Sequence, residues 1–261
     1  MMCSDFHVHT TFSDGKHTPK EMILSAIEKG MTAIGFSDHS YTAFDESYCM
    51  AKEKQTQYYN EVRSLRETYK ERIAVFCGIE QDFYSEAPTE RYDYSIGSVH
   101  YLKLGTEYIP VDETADILIH AAKKYFDGDM YALAEQYFKT VSQVIEKTNA
   151  DMIGHFDLIT KFNEGYVLFD ETAPRYRKAV SEALQCLLQS GRPFEINTGA
   201  ISRGYRTTPY PAKEWIDMII RSGGTLILSS DSHAKETLCY QFNTLNYPCE
   251  DFFKIVQKSL T

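Results

Sequence analysis

Residues 3–9 read CSDFHVH, a short apolar-rich run that ends in two histidines one residue apart. On an extended strand alternate side chains leave from the same face, so His7 and His9 point the same way. The form recurs along the chain. Residues 32–36 (TAIGF) run into Ser37-Asp38-His39, 73–79 (IAVFCGI) into Glu80, 94–99 (YSIGSV) into His100, and Met152-Ile153 into Gly154-His155-Phe156-Asp157. Residues 193–196 (PFEI) carry Glu195 inside the run and meet Asn197 at its end. Residues 225–228 (TLIL) lead to Asp231-Ser232-His233, which repeats the spacing of the first pair. Short runs of β-branched and aromatic residues fit buried strands.

Helical patterns lie between them. Thr18-Pro19 ahead of KEMILSAIEKG predicts an N-cap, a proline at the first helical position and a stop at Gly30. Residues 51–71 place Tyr58, Val62, Leu65 and Tyr69 at helical spacing, residues 173–191 place Val180, Ala183, Leu184, Leu187 and Leu188 on one face, and residues 213–223 do so with Trp215, Met218 and Ile219. The alternation predicts an α/β chain, a parallel sheet or barrel of seven strands. Ligands bind such folds at the C-terminal ends of the strands, which is where the His, Asp and Glu residues fall. Residues scattered from position 7 to 233 are therefore expected to converge on one pocket, which makes residues 1–261 a single domain. Residues 105–150 break the rhythm with two helical stretches, 114–126 and 130–148, between the fourth and fifth strands. This segment is expected to be either a lid or an enlarged structural crossover.

The 261 residues carry 27 Lys plus Arg against 37 Asp plus Glu, a net charge of −10. An acidic chain without a basic cluster argues against nucleic-acid or anionic-membrane partners, and no apolar run is long enough to span a bilayer. The opening Met1-Met2-Cys3-Ser4-Asp5 has no basic-then-apolar leader, and six cysteines form no CxxC pair, so reduced thiols and a cytoplasmic location are expected. Neutral imidazoles with shared carboxylates bind transition ions such as Zn, Mn or Fe(II) better than Ca or Mg. So many candidate ligands suit two or three ions, an arrangement that activates water and clamps the oxygens of a phosphoryl displacement.

With HVHTTFSDG at 7–15, SDHS at 37–40, GIE at 78–80, SVH at 98–100, GHFD at 154–157 and DSH at 231–233, the chain resembles the PHP (polymerase and histidinol phosphatase) family of metallophosphoesterases over essentially its whole length. The resemblance implies a distorted seven-stranded (β/α)7 barrel, with the helical insertion between strands 4 and 5. It implies that His7, His9, Glu80 and Asp231 hold one ion, that Glu80 bridges to a second held by His100 and His155, and that His39 and His233 hold a third. Some members have a further His near the position of Asp14; here Asp14 is the candidate third-site ligand, with an Asx-turn before Gly15 as its other role. Glu80, Asp231 and His233 form the implied catalytic set.

The stand-alone length, the insertion after SVHYL and EINTGAISRGYRTTPYP at 195–211 bring the chain nearest to the monofunctional histidinol-phosphate phosphatases of that family. That resemblance implies hydrolysis of L-histidinol phosphate, a small phosphate ester, by in-line attack of a metal-bridging hydroxide. Arg203 and Arg206 are candidate phosphoryl contacts, His17 a candidate donor to phosphate or leaving group, and Lys161 and Asn197 further candidate substrate contacts. Asp112 or Glu113 is expected to meet a cationic substrate group, Glu195 to orient a ligand, and Tyr41, Phe44, Tyr101 or Tyr205 to offer a ring to an imidazole. The alternatives are a PHP phosphoesterase for another small ester or phosphotyrosine, an amidohydrolase-like metal hydrolase, and a non-catalytic metal-stabilised accessory domain. No oligomeric state is assigned.

Overall fold

The computed structural model describes residues 3–259. Its strands are β1 (Ser4–Asp5), β2 (Ala33–Phe36), β3 (Ala74–Asp82), β4 (Tyr94–Ser98), β5 (Tyr101–Leu104), β6 (Glu107–Pro110), β7 (Met152–Ile153), β8 (Phe194–Asn197) and β9 (Leu226–Ser229). Strands β5 and β6 form a separate antiparallel hairpin; the other seven make one parallel sheet in chain order. The register sets Phe36 opposite Cys77, Glu80 opposite Ile96 and Asn197 opposite Ser229. The two ends of the sheet meet beyond β1 and β9, where the Ser232 N–H donates to the His7 carbonyl at 3.0 Å and the His9 N–H to the Ser232 carbonyl at 2.9 Å. The result is a nearly closed seven-stranded barrel. All four residues of β2 are buried, as expected of a strand covered on both faces.

The helices follow the sequence signals. In α1 (Pro19–Glu28) the Thr18 hydroxyl accepts the Glu21 N–H and the Glu21 carboxylate accepts the Thr18 N–H, a reciprocal capping box. Next come α2 (Gln55–Tyr69), α3 (Ala115–Phe126), α4 (Met130–Val141), α5 (Val144–Thr148), α6 (Pro174–Leu188), α7 (Gly199–Ser202), α8 (Lys213–Arg221) and α9 (Phe252–Ser259). The apolar faces read from the periodicity are the buried ones: Tyr58 and Val62 on α2, Val180, Ala183, Leu184 and Leu187 on α6, and Trp215 and Ile219 on α8.

Three details depart from the sequence reading. The expected helix over 130–148 is interrupted at Ser142-Gln143, where the Ser142 N–H closes α4 onto the Phe138 carbonyl and α5 starts anew. The hairpin β5–β6 was not anticipated; Leu102 and Leu104 are buried while Lys103 is exposed, and Gly105 makes the turn at φ 61°. Finally, the expectation of six reduced thiols is corrected, because Cys3 and Cys239 form a disulfide across a sequence separation of 236. Barrel closure brings the first strand beside the segment after the last one, a proximity that cysteine spacing does not reveal.

The helices of segment 105–150 lie on the barrel flank. Leu118, Leu133, Tyr137 and Phe138 are buried in one apolar cluster with Phe156, Tyr176 and Phe194. Among the described residues no helix is long and apolar enough to cross a membrane.

Candidate metal centre

The strand ends assemble the polar cluster. Glu80, inside the long strand β3, is its hub: Oε1 lies 2.9 Å from His155 Nε2 and 3.4 Å from His100 Nε2, and Oε2 lies 2.9 Å from His39 Nδ1, 3.3 Å from His7 Nε2 and 3.6 Å from His9 Nε2. Asp231 Oδ1 approaches His9 Nε2 at 3.3 Å and His7 Nε2 at 3.7 Å. At the mouth, Asp14 is 3.2 Å from His233 Nε2, 3.7 Å from His39 Nε2 and 3.8 Å from His9 Nδ1. The nine residues expected as ligands thus surround one volume. Their tightest groupings are His7-His9-Glu80, His39-Glu80-His100 and His9-Asp14-His39-His233, each with its ligand atoms within 4.8 Å of one another. His39 belongs to two of these groupings: its backbone bridges Glu80, and its ring faces Glu80 with one nitrogen and Asp14 with the other.

Local backbone makes the convergence possible. Asp231 sits in the left-handed region at φ 49°, which Asp tolerates better than most residues. Asp38 folds the loop after His9 by accepting from the N–H and hydroxyl groups of both Thr10 and Ser13, which brings Asp14 back over His9. Gly15 permits that return, since a Cβ there would lie 2.6 Å from the His9 carbonyl.

The electrostatics fit a cation. Burial alone would raise Glu80, but the His7, His39 and His100 imidazoles overcome it and hold the carboxyl well below its usual range. Burial, with His233 and His39 alongside, pushes His9 down to about 3, so its ring is neutral and one of its nitrogens has a lone pair for a ligand bond. His7 Nε2, both His9 ring nitrogens, Glu80 Oε2, His100 Nδ1 and His155 Nδ1 are buried without a hydrogen-bond partner among the described residues. Glu80 Oε2 and His39 Nδ1 are close but not aligned for a hydrogen bond. Each orphan of this kind costs about 1–3 kcal/mol unless something satisfies it. Divalent ions would satisfy those that face the cluster, His7 Nε2, His9 Nε2 and Glu80 Oε2, and this donor set suits borderline transition metals.

The cluster floors a cavity of about 300 Å³ lined on its other sides by Tyr48, Tyr101, Asp112, Glu113, Lys161, Arg203 and Tyr205, among others. Arg203 donates through Nη2 to Asp231 Oδ2 at 2.9 Å and through Nη1 to the Asp231 carbonyl at 2.8 Å. Gly199 lies beneath this pair, and a Cβ on it would fall 2.7 Å from both Arg203 Nη2 and Asp231 Oδ2. Lys161 Nζ donates to the Asp112 carbonyl at 2.6 Å and lies 4.8 Å over the Tyr205 ring.

Three expected substrate contacts lie elsewhere. Asn197 is fully buried and gives its amide N–H to Glu195. His17 accepts the Lys235 N–H through Nδ1, beside the α1 cap and off the cavity wall. Arg206 is 8 % exposed and donates to the Thr160 carbonyl at 2.8 Å and to the Thr160 hydroxyl, tying two loops together. Arg206→Ala is accordingly expected to lower unfolding stability by about 1–3 kcal/mol, by orphaning those acceptors, with metal content unchanged. Denaturant melts beside metal analysis check this, and a loss of bound metal at unchanged stability would put Arg206 back in the site.

Two contributors escaped the sequence reading. Asp82 accepts the His100 N–H at 3.1 Å and stands 3.4 Å from His100 Nδ1; its position two residues beyond Glu80 on β3 was the available signal. Tyr48 packs edge-on to His39 with ring centroids 4.9 Å apart, and nothing in its loop sequence marks it. Of the four aromatic candidates, Tyr101 and Tyr205 line the cavity, whereas Phe44 stacks on Tyr108 and Tyr41 bonds Glu46 outside it.

Comparison with known proteins agrees with this architecture. A family model described as PHP domain matches residues 5–199. A Bacillus subtilis protein named histidinol-phosphatase is 24% identical over 277 residues, covering 95% of this chain and 100% of its own. A Schizosaccharomyces pombe protein named probable histidinol-phosphatase is 25% identical over 234 residues, covering 82% and 74%. Among solved structures, one from Listeria monocytogenes superposes with a TM-score of 0.80 at 20% identity, covering 94% of this chain and all of its own. The Lactococcus lactis histidinol phosphate phosphatase, solved with Zn, L-histidinol and phosphate, gives 0.65 at 22% identity, covering 98% and 91%. Both share the fold.

Proposed function

The chain belongs to the PHP family, and from that premise we propose that it is a divalent-metal-dependent phosphomonoesterase that hydrolyses L-histidinol phosphate to L-histidinol and phosphate. The observation that carries the reading is the buried Glu80 carboxylate ringed by five imidazoles at the floor of a cavity whose wall holds Arg203 and Lys161. The relatives named for this activity, and the zinc, histidinol and phosphate bound by the Lactococcus protein, support the choice of substrate.

In this reading His7, His9, Glu80 and Asp231 hold one ion, Glu80, His100 and His155 a second, and Asp14, His39 and His233 a third. Bound there, such ions lower the pKa of water and neutralise charge on phosphoryl oxygens. The chain's own groups do the rest. Arg203 and Lys161 supply positive charge to the phosphoryl oxygens from the cavity wall. Asp231, its carboxylate anchored by Arg203 and held ionised, orients the attacking water, whose proton ends on the leaving alkoxide. Asp112 and Glu113, delivered by segment 105–150, offer negative charge to the ammonium or imidazole of the substrate. His39, packed against Tyr48, closes one side against bulk water. A cavity of about 300 Å³ is at the small end of ligand sites, which fits a small ester. The net charge of −10 and the absence of a basic cluster support a small-molecule partner over a nucleic acid.

Phosphate release from a panel of phosphomonoesters, after chelation and with Zn, Mn or Fe(II) added back, tests the reading. Expected are no turnover after chelation, recovery with metal, and the highest kcat/KM for L-histidinol phosphate. A higher kcat/KM for another ester would overturn the substrate. Absence of metal-dependent hydrolysis of every ester would overturn the activity.

A further inference from the structure

Strand β8 sends no expected ligand into the cluster, yet its Glu195 is buried against two of them. Glu195 Oε2 lies 2.7 Å from His7 Nδ1. Its other oxygen, Oε1, accepts the backbone N–H of His155 and, at 2.8 Å, the amide N–H of Asn197. Asn197 cannot turn away. Its main chain exchanges hydrogen bonds with Tyr210 in both directions, and its Oδ1 accepts the Gly199 N–H at 2.8 Å, which leaves only Nδ2 to face Glu195. Two fixed N–H donors therefore point at Oε1, and the His7 ring faces Oε2.

We propose that Glu195 is a positioning residue that keeps the His7 proton on Nδ1, so that Nε2 presents its lone pair to a divalent cation, while the same carboxylate ties down the main chain of His155 in the neighbouring ligand group. The inference rests on the metal reading of the cluster given above. An ionised carboxylate offers acceptors at both oxygens and donates nothing, so a neutral His7 beside it must carry its hydrogen on Nδ1. Gln has nearly the same shape but one oxygen and one NH2 group. With two fixed donors at the Oε1 position, the amide oxygen of a Gln goes there and its NH2 faces His7. Nδ1 must then accept, the ring proton passes by solvent exchange to Nε2, and that nitrogen has no lone pair left for a cation. His155 keeps its acceptor. A space-filling role for Glu195 predicts the contrary, that Gln is neutral.

The test is zinc titration of chelator-stripped wild-type and Glu195→Gln protein against a chromogenic chelator, with circular dichroism and thermal melts checking the fold. One zinc equivalent is expected to bind about 10- to 100-fold more weakly in the variant, with the others and the fold retained. Unchanged affinity for every equivalent in the folded variant overturns the proposal. Wild-type protein that binds no zinc overturns both this proposal and the metal reading, so the two failures are distinct. Should the variant not fold, ¹⁵N–¹H correlation on zinc-loaded wild-type protein with labelled histidine decides. A proton on His7 Nδ1 and none on Nε2 is expected; the reverse overturns the assignment.

Discussion

Glu80→Gln is expected to lower kcat/KM for L-histidinol phosphate by about three orders of magnitude or more, with loss of bound metal and retention of the fold. Glu80 is the only carboxylate among the described residues within 4 Å of five imidazoles. Two of the three tight ligand groupings contain it. Replacing it by an amide removes the negative charge that both groupings share and puts an NH2 group against rings that must offer lone pairs. Metal-based charge stabilisation contributes several kcal/mol to such reactions, and each factor of ten in rate corresponds to about 1.4 kcal/mol, which sets the expected size. The fold is expected to survive, because the Ser98 hydroxyl that donates to Glu80 Oε1 at 2.6 Å donates equally well to an amide oxygen. Metal analysis, steady-state kinetics and a thermal melt check the three parts. A folded variant with full metal content and kcat/KM within tenfold of wild type would remove Glu80 from the centre of the reading.

The second large effect is expected at Arg203. Its guanidinium lies on the cavity wall and holds Asp231 at two atoms, with Nη1 also 3.1 Å from His233 Nδ1. Truncation to Ala removes the guanidinium that the proposed function assigns to the phosphoryl oxygens and frees the carboxylate that faces His7 and His9. Loss of one such preorganised donor costs about 10²- to 10³-fold in rate, so a drop of that order in kcat/KM is expected, together with weaker inhibition by inorganic phosphate. Arg203→Lys is expected to recover little, since an ammonium cannot span both Asp231 acceptors as the planar fork does. Kinetics with phosphate as inhibitor check this. If kcat/KM and phosphate inhibition are both unchanged in Arg203→Ala, the residue is only a brace for Asp231.

The barrel and the cluster were legible because their signals are local. A buried parallel strand announces itself as a short apolar run, and in this architecture the residues after the run lie at the open edge, so His9, His39, Glu80, His100, His155 and Asp231 could be read off without any contact being known. The hairpin 101–110 also has a local signal, Gly105 between two short runs. The disulfide had none: 236 residues separate Cys3 from Cys239, and only the meeting of first and last strands makes them neighbours.

What the sequence by itself determined is which side chains stand at the strand ends, because strand alternation and termination depend on neighbours along the chain. The tertiary structure alone decided which of the remaining polar groups face the cluster. Arg203 and Arg206 are three residues apart in one loop, and Arg203 follows EINTGAIS directly. The chain ends α7 at Arg203 and reverses at Gly204, φ 75°, so Arg203 remains over Asp231 while Arg206 is carried to Thr160. Glu195 and Asn197 likewise share a strand face, and their division of labour is set by Gly199, two residues on, and by Tyr210 and His155, which the fold brings alongside. Orientation of a polar side chain is chosen by the donors and acceptors that surround it, and those come from distant parts of the chain.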